Sequence, residues 1–208
     1  MSRRPEPGRC AEKGTPSADS LRRAIRARYT DVAADPRGHF SYPVGRRSAR
    51  RLGYRPAWLE SIPRDLVARF VGVGNPFPAA RIRPGERVLD VGCGCGLDVF
   101  VAARLAGPRG SVVGVDLTPA MLARPRRAAR RFPTASFLTA RAEKLPFPDA
   151  SFDLVLSNGV LNLCPDKDAA FRELRRVLRP GGRLVSADLL VTDDIPARTL
   201  ASLDAWST

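Results

Sequence analysis

A chain of 208 residues with 44% hydrophobic content is long enough for one domain with a sizeable core and short for two. No apolar run reaches the roughly eighteen residues of a membrane span, and the N-terminal MSRRPEPGRCAEKGTPSADS has basic residues without a secretory apolar stretch, so a soluble cytoplasmic protein is expected. The net charge of +14 is nearly all arginine, with Lys13, Lys144 and Lys167 the only lysines, and it is spread along the chain without interleaved aromatics, which argues against nucleic-acid binding.

In chain order, residues 1–20 are rich in Pro, Gly, Ser and charge and predict a disordered tail. In LRRAIRARYTDVA, residues Leu21, Ile25, Tyr29 and Val32 recur at helical spacing, giving an amphipathic helix that stops before Asp35-Pro36. PRGHFSYPVGRRS reads as turns. In SIPRDLVARFVGVGNPFP the first half reads as a helix starting at Ser61, with Pro63 in its first turn, and GVGNP as loop. Residues 21–80 are thus expected to form a helical cap.

From Arg83 onward apolar runs alternate with helical stretches. The strands are expected at 87–92, 111–116, 135–140, 152–158 and 182–190, and the helices in LDVFVAARLA, TPAMLARPRRAARRF and DAAFRELRRVL. Near-continuous apolar strands separated by helices predict a doubly wound α/β domain with a mostly parallel sheet, its ligand at the carboxyl ends of the strands. Pro125 lies inside the second helix and is expected to bend or break it. Nothing after Leu190 reads as a further pair of strands, and VTDDIPARTLASLDAWST reads as a loop and one short helix.

VLDVGCGCGLD, Val88 to Asp98, runs from a strand through Gly92, Gly94 and Gly96 into a helix, where the chain must turn sharply and a ligand can approach the backbone. Cys93 and Cys95 have no second closely spaced pair, and only Cys10, Cys164 and His39 remain as further soft ligands, so no metal site is expected. About twenty residues beyond Gly96, SVVGVD ends in Asp116, at a strand tip where a carboxylate can accept hydrogen bonds from ribose hydroxyls. Ala142-Glu143 follows the third strand, and LRPGGRL leads into the fifth.

Together, VLDVGCGCG, VVGVDLTPAML, AEKLPFPDASFDLVLSN and LRPGGRL, in that order over about residues 80–195, resemble the class I S-adenosylmethionine-dependent methyltransferases. The resemblance implies a Rossmann-like methyltransferase domain over 81–208 with S-adenosyl-L-methionine as cofactor, and, since that fold usually has two more strands after the fifth, a domain that is C-terminally truncated and lacks the last two strands. It implies that Asp90, Gly92, Gly94 and Gly96 cradle the methionine part and that Asp116 holds the ribose. Leu117 and Met121 would lie beside the adenine, Ala142 and Glu143 at its edge, and Ser157 and Asn158 towards the methionine and the acceptor.

Within that superfamily the chain looks most like the arsenite methyltransferases, through RARYTDVA, RRLGY, VGVGNP, DLTPAML, SNGVLNLCPDK and ADLLVTDDIP. At two positions where the family has cysteine this chain has Val73 and Gly159, so the thiolates that suit a soft arsenic centre are missing there. The expected function is methyl transfer to a small-molecule acceptor, with arsenite one candidate. Tyr29, Tyr42, Asn75 and Asn158 are the acceptor-side candidates, while Asn162 reads as a cap for the helix near Pro165. Displacement at a sulfonium relies on positioning and water exclusion, so no general base needs to be visible. The alternatives are a truncated cofactor-binding module without turnover, and a nucleic-acid methyltransferase, against which SNGV lacks the motif found in many amino-methylating enzymes of that class.

Overall fold

Runs such as VLDV and LVLS have no polar face to give to water, and they pair as the core of one sheet. The computed structural model describes residues 16–190. Five strands, β1 (Arg87–Val91), β2 (Ser111–Asp116), β3 (Ala135–Thr139), β4 (Phe152–Asn158) and β5 (Leu178–Ala187), lie in the order β3-β2-β1-β4-β5, each neighbouring pair parallel. Eight α-helices are described: α1 (Ala18–Ala34), α2 (Gly45–Arg51), α3 (Pro56–Glu60), α4 (Arg64–Val67), α5 (Phe77–Ala80), α6 (Leu97–Ala106), α7 (Pro119–Ala128) and α8 (Lys167–Val177).

Side chains alternate across the pleat, so β1 feeds two cores. Val88, with Leu154 and Leu156 of β4, packs with Phe100 of α6 and with Leu59, Leu66 and Phe77 of the early helices. Leu89, Val91 and Val155 pack on the other face with Leu174 and Val177 of α8. Sheet order reverses at β1, whose neighbours are β2 and β4, and the chains leaving β1 and β4 therefore diverge and leave a crevice at their carboxyl ends.

Helix α1 begins earlier than expected. Ala18–Ser20, assigned to the tail, form its first turn, and the Ser17 hydroxyl accepts the Ser20 amide at 3.2 Å. At the other end α1 has no basic residue in its last turn, and its terminal carbonyls are satisfied from outside. Arg69 donates to Ala33 and Ala34, and Arg124 of α7 donates to Ala33 at 2.9 Å. Three guanidinium hydrogen bonds thus fasten this end of α1 to the body.

Several boundaries differ from the sequence reading. The turn-rich stretch contains α2, and α3 and α5 are two further short helices, while the segment expected to start at Ser61 is helical only from Arg64, with Pro63 as its N-cap. Helix α7 runs through Pro125 without a break and ends in a 3₁₀ turn, Ala129–Arg131. The α8 cap is Asp166, whose carboxylate accepts the Ala169 amide at 2.8 Å, and not Asn162, which sits in a 3₁₀ turn. Strand β5 starts at Leu178, ahead of the Pro180-Gly181-Gly182 turn. Phe152 pairs with Leu178 and Leu154 with Arg183, so the intervening residues bulge out of the ladder. The expected loss of two final strands and the rest of the expected tail fall on 191–208 and 1–15, outside the described residues. Among the described residues no helix is long and apolar enough to cross a membrane.

Candidate active site at the carboxyl ends of the strands

The glycine loop is shaped by the residues it must pass. The amides of Gly92 and Cys93 both donate to the Val115 carbonyl, at 2.8 and 2.9 Å, which folds the chain back over β2 as it leaves β1. Gly92 has φ +71°, and a Cβ there would lie 2.1 Å from Val160 Cγ2. At Gly96, which starts α6, a Cβ would meet the Phe137 ring and Pro125, each at 2.9 Å. Gly96 therefore permits packing behind the loop and lines neither of the two cavities that Gly92 and Gly94 border.

The cysteines between them are core side chains. Cys93 and Cys95 are buried in the apolar cluster of the α6 face. Burial pushes both thiols up, Cys93 helped by the nearby Asp116 and Asp90, and Cys95 to about 12. Neutral thiols packed in this way are small hydrophobes. Among the described residues no group of three or more His, Cys, Asp or Glu is placed to hold a metal ion.

In front of the loop lies a cleft of about 770 Å³. Asp116, at the end of β2, lines it and accepts the Gly94 amide at 2.9 Å on one oxygen and the Thr118 amide at 2.8 Å on the other. Burial raises its pKa to about 6 against those two donors, so the carboxylate is held rigidly with lone pairs left for a ligand. Leu117, Met121, Ala142 and Glu143 join the same wall. Glu143 is not a free carboxylate: Arg22 of α1 binds it through Nη2 at 2.9 Å and Nε at 3.3 Å. Arg22, Ile25 and Tyr29 bring α1 itself into the cleft, where burial raises the Tyr29 phenol.

Behind the glycine loop a smaller cavity of about 340 Å³ reaches Asp90 and Asp98. Asp90 is buried with Oδ2 unpartnered among the described residues. Asp98, in the first turn of α6, accepts Tyr54 Oη at 2.6 Å and Asn158 Nδ2 at 3.0 Å. Asn158 is a junction: its Oδ1 accepts the amides of Val73 and Gly74, and its Nδ2 also donates to the Gly74 carbonyl at 2.9 Å. It clamps the 71–74 segment onto the end of β4 while bordering both cavities.

Of the residues singled out from sequence, the structure gathers Tyr29, Asp90, Gly92, Gly94, Asp116, Leu117, Met121, Ala142, Glu143 and Asn158 around these two cavities. It leaves out four. Ser157 is buried inside β4, Asn75 accepts the Phe77 amide, Tyr42 donates to the Val71 carbonyl, and Gly96 faces Phe137. Reading the sequence missed Arg22, Tyr54 and Asp98, and also Val71, Val160 and Leu163, which with Cys164 complete the apolar wall. Asp98 was visible as a carboxylate directly after the glycine loop; the others carry no local signal. Val73 and Gly159 meet, since a Cβ on Gly159 would lie 3.3 Å from Val73 Cγ1.

The residues present fit S-adenosylmethionine: a strand-end carboxylate beside glycines that leave room, and an orphaned carboxylate oxygen where a cation can sit. A family model described as a methyltransferase domain matches residues 82–208. The arsenite methyltransferase of Halobacterium salinarum is 39% identical over 168 residues, covering 80% of this chain and 42% of that protein. The arsenite methyltransferase of Aquipseudomonas alcaligenes is 42% identical over 147 residues, covering 64% and 42%. This chain therefore spans less than half the length of these curated relatives. Among solved structures, the arsenic(III) S-adenosylmethionine methyltransferase of Chlamydomonas reinhardtii superposes with TM-score 0.63 at 41% identity, covering 69% of this chain and 51% of that one. The glycine loop, the strand-end aspartate and the sheet order agree with these likenesses, and the chain belongs to the methyltransferase domain family, as a class I S-adenosylmethionine-dependent member similar to the arsenite methyltransferases.

Proposed function

We propose that the chain binds S-adenosylmethionine in the cleft and transfers its methyl group to a small-molecule acceptor. The observation that carries this reading is the hydrogen bond between Asp116 and the Gly94 amide, which brings the tip of β2 and the loop after β1 together at one wall of the cleft. In this reading Asp116 accepts from the ribose hydroxyls, and Leu117, Met121 and Ala142 flank the adenine. Gly92 and Gly94 leave room for the methionine part, whose ammonium faces Asp90. Glu143, already held by Arg22, joins α1 to the adenine end. The cofactor supplies an electrophilic methyl on a sulfonium, and the protein's part is to align the acceptor and keep water out.

The acceptor side in this reading is the apolar wall of Ile25, Tyr29, Val71, Val160 and Leu163. Arsenite is one candidate, because the two relatives above are named for it. Here, however, Val73 packs on Gly159, and the cysteine bordering the cleft is Cys164, its thiol pushed up to about 12 mainly by burial. A neutral small molecule that needs no thiolate suits this wall equally. A cytoplasmic setting accords with the free thiols of Cys93, Cys95 and Cys164.

Thermal unfolding with and without S-adenosylmethionine, repeated on Asp116→Ala, tests the reading. Ligand at a hundred times its Kd adds about 2.7 kcal/mol, and the shift should vanish in the variant. A shift without methyl transfer to arsenite plus thiol, or to a panel of small acceptors, would favour a binding module without turnover. No shift would sink the cofactor assignment.

A further inference from the structure

Three buried carboxylates from three elements line the two cavities: Asp116 from β2 the cleft, and Asp90 from β1 with Asp98 from α6 the smaller cavity. Among the described residues none is paired with an arginine or lysine. Asp116 is satisfied by two backbone amides and Asp98 by Tyr54 and Asn158, but Asp90 Oδ2 has no partner and almost no exposure. Arg22, held by Glu143, and Arg141 line the cleft on the Asp116 side but not the smaller cavity of Asp90 and Asp98. The remaining ionisable groups facing the carboxylates are the phenols of Tyr29 on α1 and Tyr54, and the thiols of Cys93 and Cys95 on the loop. All four are pushed up by burial, so they bring no positive charge.

Two buried carboxylates that line one cavity and feel each other's charge do not both ionise readily without a cation. We propose that Asp90 and Asp98 share a proton in the free protein and release it to solvent when a ligand bearing a primary ammonium enters, so that binding at this site is proton-linked. The inference rests on reading the cleft as the S-adenosylmethionine site. The carboxyl O–H bond breaks and its proton goes to the buffer; the ligand keeps its own three N–H bonds and donates where the proton was, with no change of oxidation state.

Burial pushes Asp98 up to about 6, and Asp90 is raised by burial and by the charges of Asp98 and Asp116. The proton belongs to the pair and not to one member. Binding then weakens as pH falls through the pair's titration and is flat above it, because the proton competes with the ammonium only where the free site is protonated.

The test is calorimetric titration of the 208-residue chain with S-adenosylhomocysteine from pH 5 to pH 8, in buffers of different ionisation enthalpy. This ligand has the ammonium but no transferable methyl. The pair is expected to release a proton and to weaken Kd about tenfold between pH 7 and pH 5. Asp98→Asn should remove that contribution while Asp116→Asn retains it. On the unaltered protein, 5′-methylthioadenosine, which lacks the ammonium, should show a slope shallower by the same amount. Binding that is flat with pH, an unchanged slope in Asp98→Asn, or equal slopes for the two ligands each overturns the linkage. Failure of S-adenosylhomocysteine to bind at any pH instead overturns the cofactor reading.

Discussion

Arg22 and Glu143, 121 positions apart in the chain, form an ion pair of 2.9 Å in the wall of the cleft. It is largely shielded, with side-chain exposures of 17% and 7%, so the guanidinium and carboxylate interact in a medium poorer than water. The pair ties the first helix to the segment after β3.

Arg22→Ala leaves the Glu143 carboxylate enclosed without its donor. Stability is expected to fall by about 2 kcal/mol, and a double-mutant cycle with Glu143→Gln should return a coupling energy well above zero by urea unfolding. Additive effects would show that the pair is ornamental.

Gly92→Ala places a methyl group 2.1 Å from Val160 Cγ2 at a backbone φ of +71°. The expected cost is roughly 3 kcal/mol from strain and overlap together. Val160→Ala in the same chain should recover the overlap share and leave the strain. A Gly92→Ala protein as stable as the parent would mean that the loop does not pass Val160 as described.

Asn158→Ala removes the clamp on the 71–74 segment and one of the two side-chain donors to Asp98. We expect about 3 kcal/mol lost, from several buried groups left unpaired. Because the lost donor favours the charged form, the Asp98 pKa should rise further above about 6. Carboxyl titration followed by NMR checks the direction.

Asp116 sits at about 6 in the fold and so does Asp98, which holds the proton of the Asp90–Asp98 pair in common with Asp90, all raised by burial above the ordinary 3.8. A raised carboxyl binds more protons folded than unfolded between those values, so its stabilisation is full below the unfolded pKa and is lost as pH climbs through about 6. The ligand-free protein should therefore be more stable at pH 5.5 than at pH 7.5, by on the order of 1.5 kcal/mol for the two groups. Denaturant unfolding across that range measures it, and Asp98→Asn should remove about half of the slope.

The four strands β1 to β4 were legible within one residue, and α6 to the residue, because buried parallel strands and their connecting helices announce themselves as apolar runs between turns. Of the early short helices only α4 was, inside the stretch read as helical from Ser61; α2, α3 and α5 were not. GRRSARR in α2 has no apolar period, and the Gly45 amide at its start is held by a distant acceptor, the Phe70 carbonyl at 2.7 Å. Pro125 was read from its cost alone, whereas its ring lies buried behind the glycine loop near Gly96, in a helix that continues past it. At the site, Asp116 and the glycines carried a local signature. Tyr54, 44 positions before the Asp98 it binds, had none, since only the folded chain gives a phenol there a carboxylate to donate to.

The cleft is assembled from two stretches of chain that meet only in the fold. One wall comes from the strand ends and glycine loop after residue 87, and the facing surface comes largely from α1 and Val71. Because α1 is fastened at one end by the arginine hydrogen bonds to its last carbonyls and near its other end by the Arg22–Glu143 pair, its middle residues Ile25 and Tyr29 can change without disturbing either attachment. Substitution there alters the shape offered to a second molecule while the glycine loop stays as it is. The architecture thus separates what is held from what can be chosen, and lets a lineage exchange one partner molecule for another in few mutational steps.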